Sequence, residues 1–355
     1  MQEIYINEAN EGQRLNKFLG KYLDNAPQSF IYKMLRKKNI KWNHKKASGN
    51  EILNAGDSVQ IFMTDDTIAN FRKDGRIPVF TEEIKVQLTK PAGVQPLTGT
   101  EHPLKDIEIL HEDDDILILN KPAGMLSQKA QAEDYSLNER IVDYYHLRKQ
   151  PDLFFTPSVC NRLDRNTSGI LLAGMSLRGS RMLSQMLKDR SLQKYYLTIV
   201  CGRVEKASTI KGFLTKKAAH NQVVVYSSLE EAYANGVEQP AFIETGYESL
   251  AHGIFQGMEY TLLRVKLVTG KTHQIRAHLC AVGHPIIGDG KYGRKSVNGI
   301  LKREFALKHQ LLHAYEMTFP QENKDLPEEL CGKTFYAPLP RQFEKIRSRM
   351  FGNIN

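Results

Sequence analysis

The stretch Asn161-Arg162-Leu163-Asp164-Arg165-Asn166-Thr167-Ser168-Gly169 sets one carboxylate between two arginines and runs straight into the apolar Ile170-Leu171-Leu172. A carboxylate in such a loop could be a nucleophile, a general base or a metal ligand. The plainer alternative is an Asx-turn residue that closes the loop with Thr167 and Ser168. The loop alone leaves both readings open.

Two further segments carry chemistry. Lys194-Tyr195-Tyr196-Leu197 opens an extended run whose alternation puts Tyr196 on one face with Lys194 and Thr198. In the segment 268–279, Gly270 permits a tight turn, Thr272 can cap a helix, and Arg276 projects near its first turn. Strand, turn, cap and cation together suit an anion or a carboxylate partner, although Arg276 could equally be an ordinary surface cation. Around these segments, residues 107–110, 116–119, 241–247 and 260–268 read as strands. Helical spacing aligns Met182, Leu183, Met186 and Leu187 over 177–189, and Ile275, Leu279 and Val282 over 273–282, with Gly283 and Pro285 as the stop. The pattern is that of a mixed α and β domain over 106–355.

The N-terminal end differs in charge. Between Arg14 and Lys46 stand ten basic residues and one acid, Asp24, and seven of the cations fall within 33–46 around the only tryptophan, Trp42. Lys33, Arg36, Lys37, Lys38 and Lys41 form a basic stripe suited to phosphate contact, with Trp42 either stacking on an unpaired base or filling a small core. Leu15, Phe18, Leu19 and Leu23 mark one helix face, and a second helix is expected from a Ser29 cap to a turn at Asn39. Short strands around 40–42, 52–53 and 56–61, with a turn at 44–49, complete a small domain over 1–63. Residues 64–105, punctuated by Pro78, Pro91, Gly93, Pro96, Gly99 and Pro103, read as a connector with room for a strand or two.

Composition bounds the rest. The 355 residues suffice for two domains; 41% are hydrophobic and 25% charged, which excludes disorder and fibre. No run approaches the ~18 apolar residues of a membrane span. The first residues lack a basic stretch followed by an apolar one, so a cytoplasmic protein is expected. Lys+Arg 49 against Asp+Glu 40 favours a polyanionic partner. Cys160, Cys201, Cys280 and Cys331 are widely separated and are expected as reduced thiols.

The N-terminal pattern over 14–62 resembles the S-four RNA-binding domain, with Asn39 and His44 where that family often has glycine. The three central segments resemble the RluA-type RNA pseudouridine synthases, whose signatures are R-L-D-x-x-T-S-G, K-x-Y and T-G-x-T-H-Q-I-R. Lys121-Pro122-Ala123-Gly124 looks like that family's opening element, and Gly288-Asp289 with Tyr292-Gly293 like its closing one. Asn161 departs from the histidine of many members and is expected to alter loop packing more than chemistry.

The resemblance implies an α+β pseudouridine synthase fold, a central mixed and largely antiparallel sheet flanked by helices, with the small N-terminal α/β RNA-binding domain appended. It implies Asp164 as catalytic aspartate, Tyr196 as active-site tyrosine and Arg276 as the aspartate's partner. Arg162, with Arg165 beside it, would enter the RNA as the target base leaves the stack. The reaction breaks a uridine's glycosidic bond, rotates the uracil and rejoins it through carbon 5, so neither metal nor other cofactor is expected. The expected partner is RNA, large-subunit ribosomal RNA ahead of transfer RNA, with no membrane and no second copy of the chain. A non-catalytic RNA-binding assembly factor is the other class.

Competing motifs carry less. Gly288 to Gly293 fits G-x-G-x-x-G, but residues 294–299 after it do not read as a helix, so a dinucleotide site is not expected. His273 and His278, five apart, would diverge on a helix, which argues against a metal pair.

Overall fold

The computed structural model describes residues 1–7, 10–73, 102–148, 155–217 and 222–352. The chain divides into two compact units, one built on Met1–Pro103 with Val142–Pro157 and Met175–Gly179, the other on the remainder.

In the first unit, β1 (Gln2–Tyr5), α1 (Leu15–Tyr22), α2 (Gln28–Arg36), β2 (Ile40–Trp42), β3 (Lys45–Lys46), β4 (Ser58–Ile61) and α3 (Asp65–Asn70) follow in order. The strands form an antiparallel sheet in the order β1-β4-β2-β3. Leu15, Phe18, Leu19 and Tyr22 bury the face of α1 against Ile31 and Leu35 of α2 and Ile40, Val59 and Ile61 of the sheet. Several local expectations are corrected. The cap of α2 is Pro27, with no side-chain hydrogen bond, and Ser29 lies inside the helix. The left-handed residue after α2 is Lys38 (φ 62°) and not Asn39. The hairpin turns at Asn43 and His44, at φ 47° and 63°, earlier than the expected 44–49, and Asn43 Nδ2 ties it to Asp57 Oδ1 at 2.7 Å. Two left-handed residues in a two-residue loop match the strands' twist, and Asn tolerates that conformation well. Trp42 packs half-buried on this core and donates Nε1–H to Asp57 Oδ2 at 3.0 Å. Most of the expected connector, 74–101, lies outside the described residues; its first part forms helix α3, capped by Thr64.

The second unit contains β5 (Glu108–Glu112), β6 (Ile116–Lys121), the start of α4 (Leu137–Arg148), β7 (Ser158–Val159), β8 (Ser168–Gly174), most of α5 (Leu177–Lys188), β9 (Gln193–Cys201), β10 (Ser208–Lys217), β11 (Gln222–Tyr226) and α6 (Leu229–Ala234). It continues through β12 (Ala241–Phe255), β13 (Met258–Leu267), α7 (Gln274–Ala281), α8 (Lys295–Phe305), β14 (Leu312–Thr318), β15 (Thr334–Tyr336) and α9 (Arg341–Phe351). One sheet runs β11-β10-β12-β13-β9-β14-β8-β6-β5, with β7 on β8 and β15 on β14. Among the described pairings only β14 with β8 is parallel, so the sheet is mixed and largely antiparallel.

Helices cover the sheet where strands carry apolar side chains on the matching face. Met182, Leu183 and Met186 of α5 pack on Ile116, Ile118, Ile170 and Leu172. Ile275 and Leu279 of α7 pack on Val200, Leu263 and Val265, at ~1.5–3 kcal/mol of burial each, and this fixes Arg276 between them. Two readings of the C-terminal half are corrected. Val282 is the C-cap of α7 and 38% exposed rather than part of its face. Residues 295–305 do form a helix, α8, which turns Val297 and Leu301 inward around Asn298-Gly299.

Candidate active site

The loop 161–169 is pinned from several sides. Ser127 Oγ donates to the Leu163 carbonyl at 2.9 Å and accepts from Leu163 N–H at 3.1 Å. Gly124 N–H donates to the Arg165 carbonyl at 2.9 Å. Lys121, with no solvent exposure, donates Nζ to the carbonyls of Pro122, Met125 and Arg165 at 3.0, 2.8 and 3.1 Å. Burial pushes its pKa down to about 7, and the Asp164 charge pulls it up; three carbonyl acceptors use all three protons of the ammonium. Asn161 spans to β8, accepting from Leu172 N–H at 2.7 Å and donating to the Ile170 carbonyl at 3.4 Å, which ties the loop to its strand.

Arg276 stands opposite. Its Nε and Nη2 donate to Asp289 Oδ2 and Oδ1 at 2.7 and 3.0 Å, and its Nη1 donates to Asp164 Oδ2 at 2.8 Å. Burial alone would raise Asp289's pKa, but the guanidinium and the Lys291 and Tyr292 amides hold it below the usual carboxylate range. Asn298 clamps the Asp289 turn, accepting from Gly288 N–H at 2.8 Å and donating to the Asp289 carbonyl at 2.9 Å. The helix that carries Arg276 starts differently from expectation. Its cap is His273, left-handed at φ 54°, and not Thr272; Gln274 Oε1 ties the preceding turn through Lys271 N–H at 3.1 Å and Thr269 Oγ1 at 2.9 Å.

Asp164 opens into a cleft of about 1190 Å³ whose walls include Tyr196, His273, Arg162, Arg165, Lys194 and Lys271. Among the described residues Asp164 is the one carboxylate on a lining otherwise rich in lysine and arginine. Tyr196 is 7% exposed; burial first, and the Asp164 charge second, push its phenol well above the ordinary value, so it stays protonated. His273 Nε2 lies 3.9 Å from Asp164 Oδ2. Such a cleft can hold a polyanion by its phosphates beside a carboxylate. Among the described residues no group of three or more His, Cys, Asp or Glu is arranged to hold a metal ion, and no helix is long and apolar enough to cross a membrane.

The structure therefore brings Asp164, Tyr196 and Arg276 to one cleft, with Arg162 and Arg165 exposed at its edge. Lys33, Arg36, Lys37 and Lys38 are exposed in the first unit, whereas Lys41 is half-buried with Nζ 5.1 Å from the Phe62 ring centroid. Lys121, Asp289, His273 and Tyr292 were not among the expected site residues. Each lies in a short motif already visible in the chain, but only the fold shows which side chain turns toward Asp164.

A model of the family described as RNA pseudouridylate synthase matches residues 115–281. Over 352 residues, 99% of this chain and 97% of the relative, the sequence is 29% identical to the ribosomal large subunit pseudouridine synthase C of Vibrio cholerae. It is 30% identical to the protein of that name from Pasteurella multocida, over 97% of this chain and 92% of the relative. The fold is similar to human RNA pseudouridylate synthase domain containing 4, with a TM-score of 0.51 at 20% identity over 68% of this chain and 92% of that one. With its signature segments gathered at one cleft, the chain belongs to the RNA pseudouridine synthase family and is an isomerase that converts uridine to pseudouridine in RNA.

Proposed function

We propose that this chain isomerises uridine in large-subunit ribosomal RNA, with Asp164 as the carboxylate that acts on the ribose. The observation that carries the reading is the carboxylate that stands alone among the described residues of a cationic cleft, held by Arg276 at 2.8 Å. The names of the relatives from Vibrio cholerae and Pasteurella multocida support the substrate, and with it a cytoplasmic setting.

A uridine inside a helix is out of reach, so the target base must leave the stack. Arg162 and Arg165, exposed at the rim, are suited to hold the vacated strand, and Lys33, Arg36, Lys37, Lys38 and Lys41, on the other unit, to bind phosphates elsewhere on the RNA. Asp164 then either attacks carbon 1′ or takes a proton from carbon 2′, and the glycosidic electron pair leaves on the uracil. The base turns, carbon 5 bonds to carbon 1′ as the bond to Asp164 breaks or as the proton returns to carbon 2′, the carbon 5 proton departs, and N1 takes up a proton. Reactant and product are isomers, so no redox partner enters the balance. Tyr196, a protonated phenol in an apolar wall, is suited to stack on the uracil, and Arg276 orients Asp164.

The test is turnover, without added cofactor, on large-subunit rRNA transcripts and on transfer RNA in parallel, followed by mapping of pseudouridine. Conversion of discrete rRNA uridines is expected; conversion of transfer RNA alone would overturn the substrate.

A further inference from the structure

His273 reaches Tyr292 on one side and Asp164 on the other. Tyr292 Oη accepts from the Val223 backbone N–H at 2.8 Å and lies 3.0 Å from His273 Nδ1. Burial, ahead of the nearby charges, raises the Tyr292 pKa, so its hydroxyl keeps its proton. Among the described residues Nδ1 is the acceptor within hydrogen-bond reach of that proton, an arrangement in which Nδ1 accepts. Burial also lowers the His273 pKa against the pull of Asp164, with Arg276 and Lys291 disfavouring a second proton and Asp289 favouring it. A neutral imidazole that accepts at Nδ1 carries its proton at Nε2. That N–H lies 3.9 Å from Asp164 Oδ2, beside whatever atom the carboxylate attacks. The side chain is 8% exposed, and α7, which begins immediately after it, is packed on the sheet, so the donor is fixed before substrate arrives.

We infer that His273 is a substrate-contacting catalytic residue that donates its Nε2–H to O2 of the departing uracil. The inference rests on the proposed function and deepens it. When the bond between carbon 1′ and N1 breaks, its electron pair passes to N1 and spreads over O2 and O4 of the ring. O2 lies next to the breaking bond, so a donor placed a few ångströms from the attacking carboxylate meets charge that exists only once cleavage has begun. No proton is transferred: the hydrogen bond strengthens as the anion forms and relaxes as carbon 5 rejoins the ribose. The cationic rim serves the phosphates, whereas this neutral donor meets the base.

The decisive experiment compares wild type, His273→Gln, which keeps a donor at similar reach, and His273→Met, a near-isostere without one. Single-turnover conversion is followed on an rRNA transcript carrying uridine or 5-fluorouridine, read as loss of the starting nucleoside. Fluorine stabilises the uracil anion, so it should lessen the need for the donor. His273→Met is expected to slow the uridine transcript ~100-fold, in the range of a lost oxyanion donor, with RNA affinity within ~2-fold. His273→Gln should recover most of that rate, and the His273→Met defect should shrink at least ~3-fold on 5-fluorouridine. Equal defects on the two transcripts, a defect confined to affinity, or no rescue by Gln would overturn the role of His273. A transcript that wild type leaves untouched would instead contradict the rRNA reading beneath it.

Discussion

Arg276 and Asp289 meet through two parallel hydrogen bonds of 2.7 and 3.0 Å, on a carboxylate side chain with no solvent exposure. The pairing fixes the guanidinium plane and leaves Nη1 to reach Asp164 at 2.8 Å. Asp289 therefore acts on the site at second hand, by aiming the group that aims Asp164. Lysine at 276 would keep the charge and lose the fork. Arg276→Lys is expected to lower the turnover rate ~100-fold and stability by about 3 kcal/mol, because Asp289 would stay buried with half its partners gone. Turnover within ~3-fold of wild type, measured beside a urea titration, would show that charge alone suffices.

Gly169, where the loop 161–169 becomes β8, sits at φ +109°, and an added Cβ would fall 2.2 Å from the Ala314 carbonyl oxygen of the parallel neighbour β14. Both effects oppose any side chain. Gly169→Ala should cost at least ~3 kcal/mol in urea unfolding. Gly299→Ala, in α8 with nothing within 4 Å of the added carbon, should instead stabilise by ~0.5–1 kcal/mol.

Much of this was legible in the chain and some was not. Local regularity announced itself: the period of Leu15, Phe18 and Leu19 gave α1, and Met182, Leu183 and Met186 gave α5. The resemblance of their segments to the family's signatures flagged Asp164, Tyr196 and Arg276. Helix α8 was missed because Asn298-Gly299 reads as a turn in isolation; the burial of Val297 and Leu301, and the use of Asn298 to clamp the Asp289 turn, override that propensity. Thr272 was a reasonable cap by composition, yet the hydrogen bonds of Gln274 to Thr269 and Lys271 shift the helix start by one residue. Lys121 and His273 meet partners 44 and 109 residues away in the chain, Arg165 and Asp164, and Asp289 reaches Asp164 only through Arg276, relations that no local window contains.

Two buried histidines set an acid limit on stability. His313 accepts from Ser168 Oγ–H at Nδ1 and donates Nε2–H to the Ala337 carbonyl, and His278 faces Thr245 Oγ1; burial lowers both to about 4 from 6.5. Between these values the unfolded chain binds a proton at each that the folded chain refuses. Stability is therefore complete above pH 6.5 and falls as pH drops toward 4, by up to roughly 3 kcal/mol per histidine. Urea titrations at pH 7 and 4.5 should show the loss, and His313→Gln should reduce it; an equal slope in the variant would assign the acid sensitivity elsewhere.

Lys37 and Lys38 are exposed and Lys41 half-buried on the first unit. Replacing all three with glutamine should weaken RNA binding and lower the slope of log affinity against log salt by about 2–3, while unfolding stays within ~0.5 kcal/mol of wild type. A triple variant with the wild-type slope would remove this face from the RNA-binding surface.

The central claim is that one carboxylate, Asp164, carries the reaction. Tritium release from rRNA transcripts labelled at carbon 5 of uridine, compared between wild type and Asp164→Asn with RNA affinity measured alongside, tests it most directly. Release by wild type alone, with affinities within ~2-fold, is the expected result, since the amide keeps the shape and loses the nucleophile or base. Release by Asp164→Asn at a rate near wild type would contradict it.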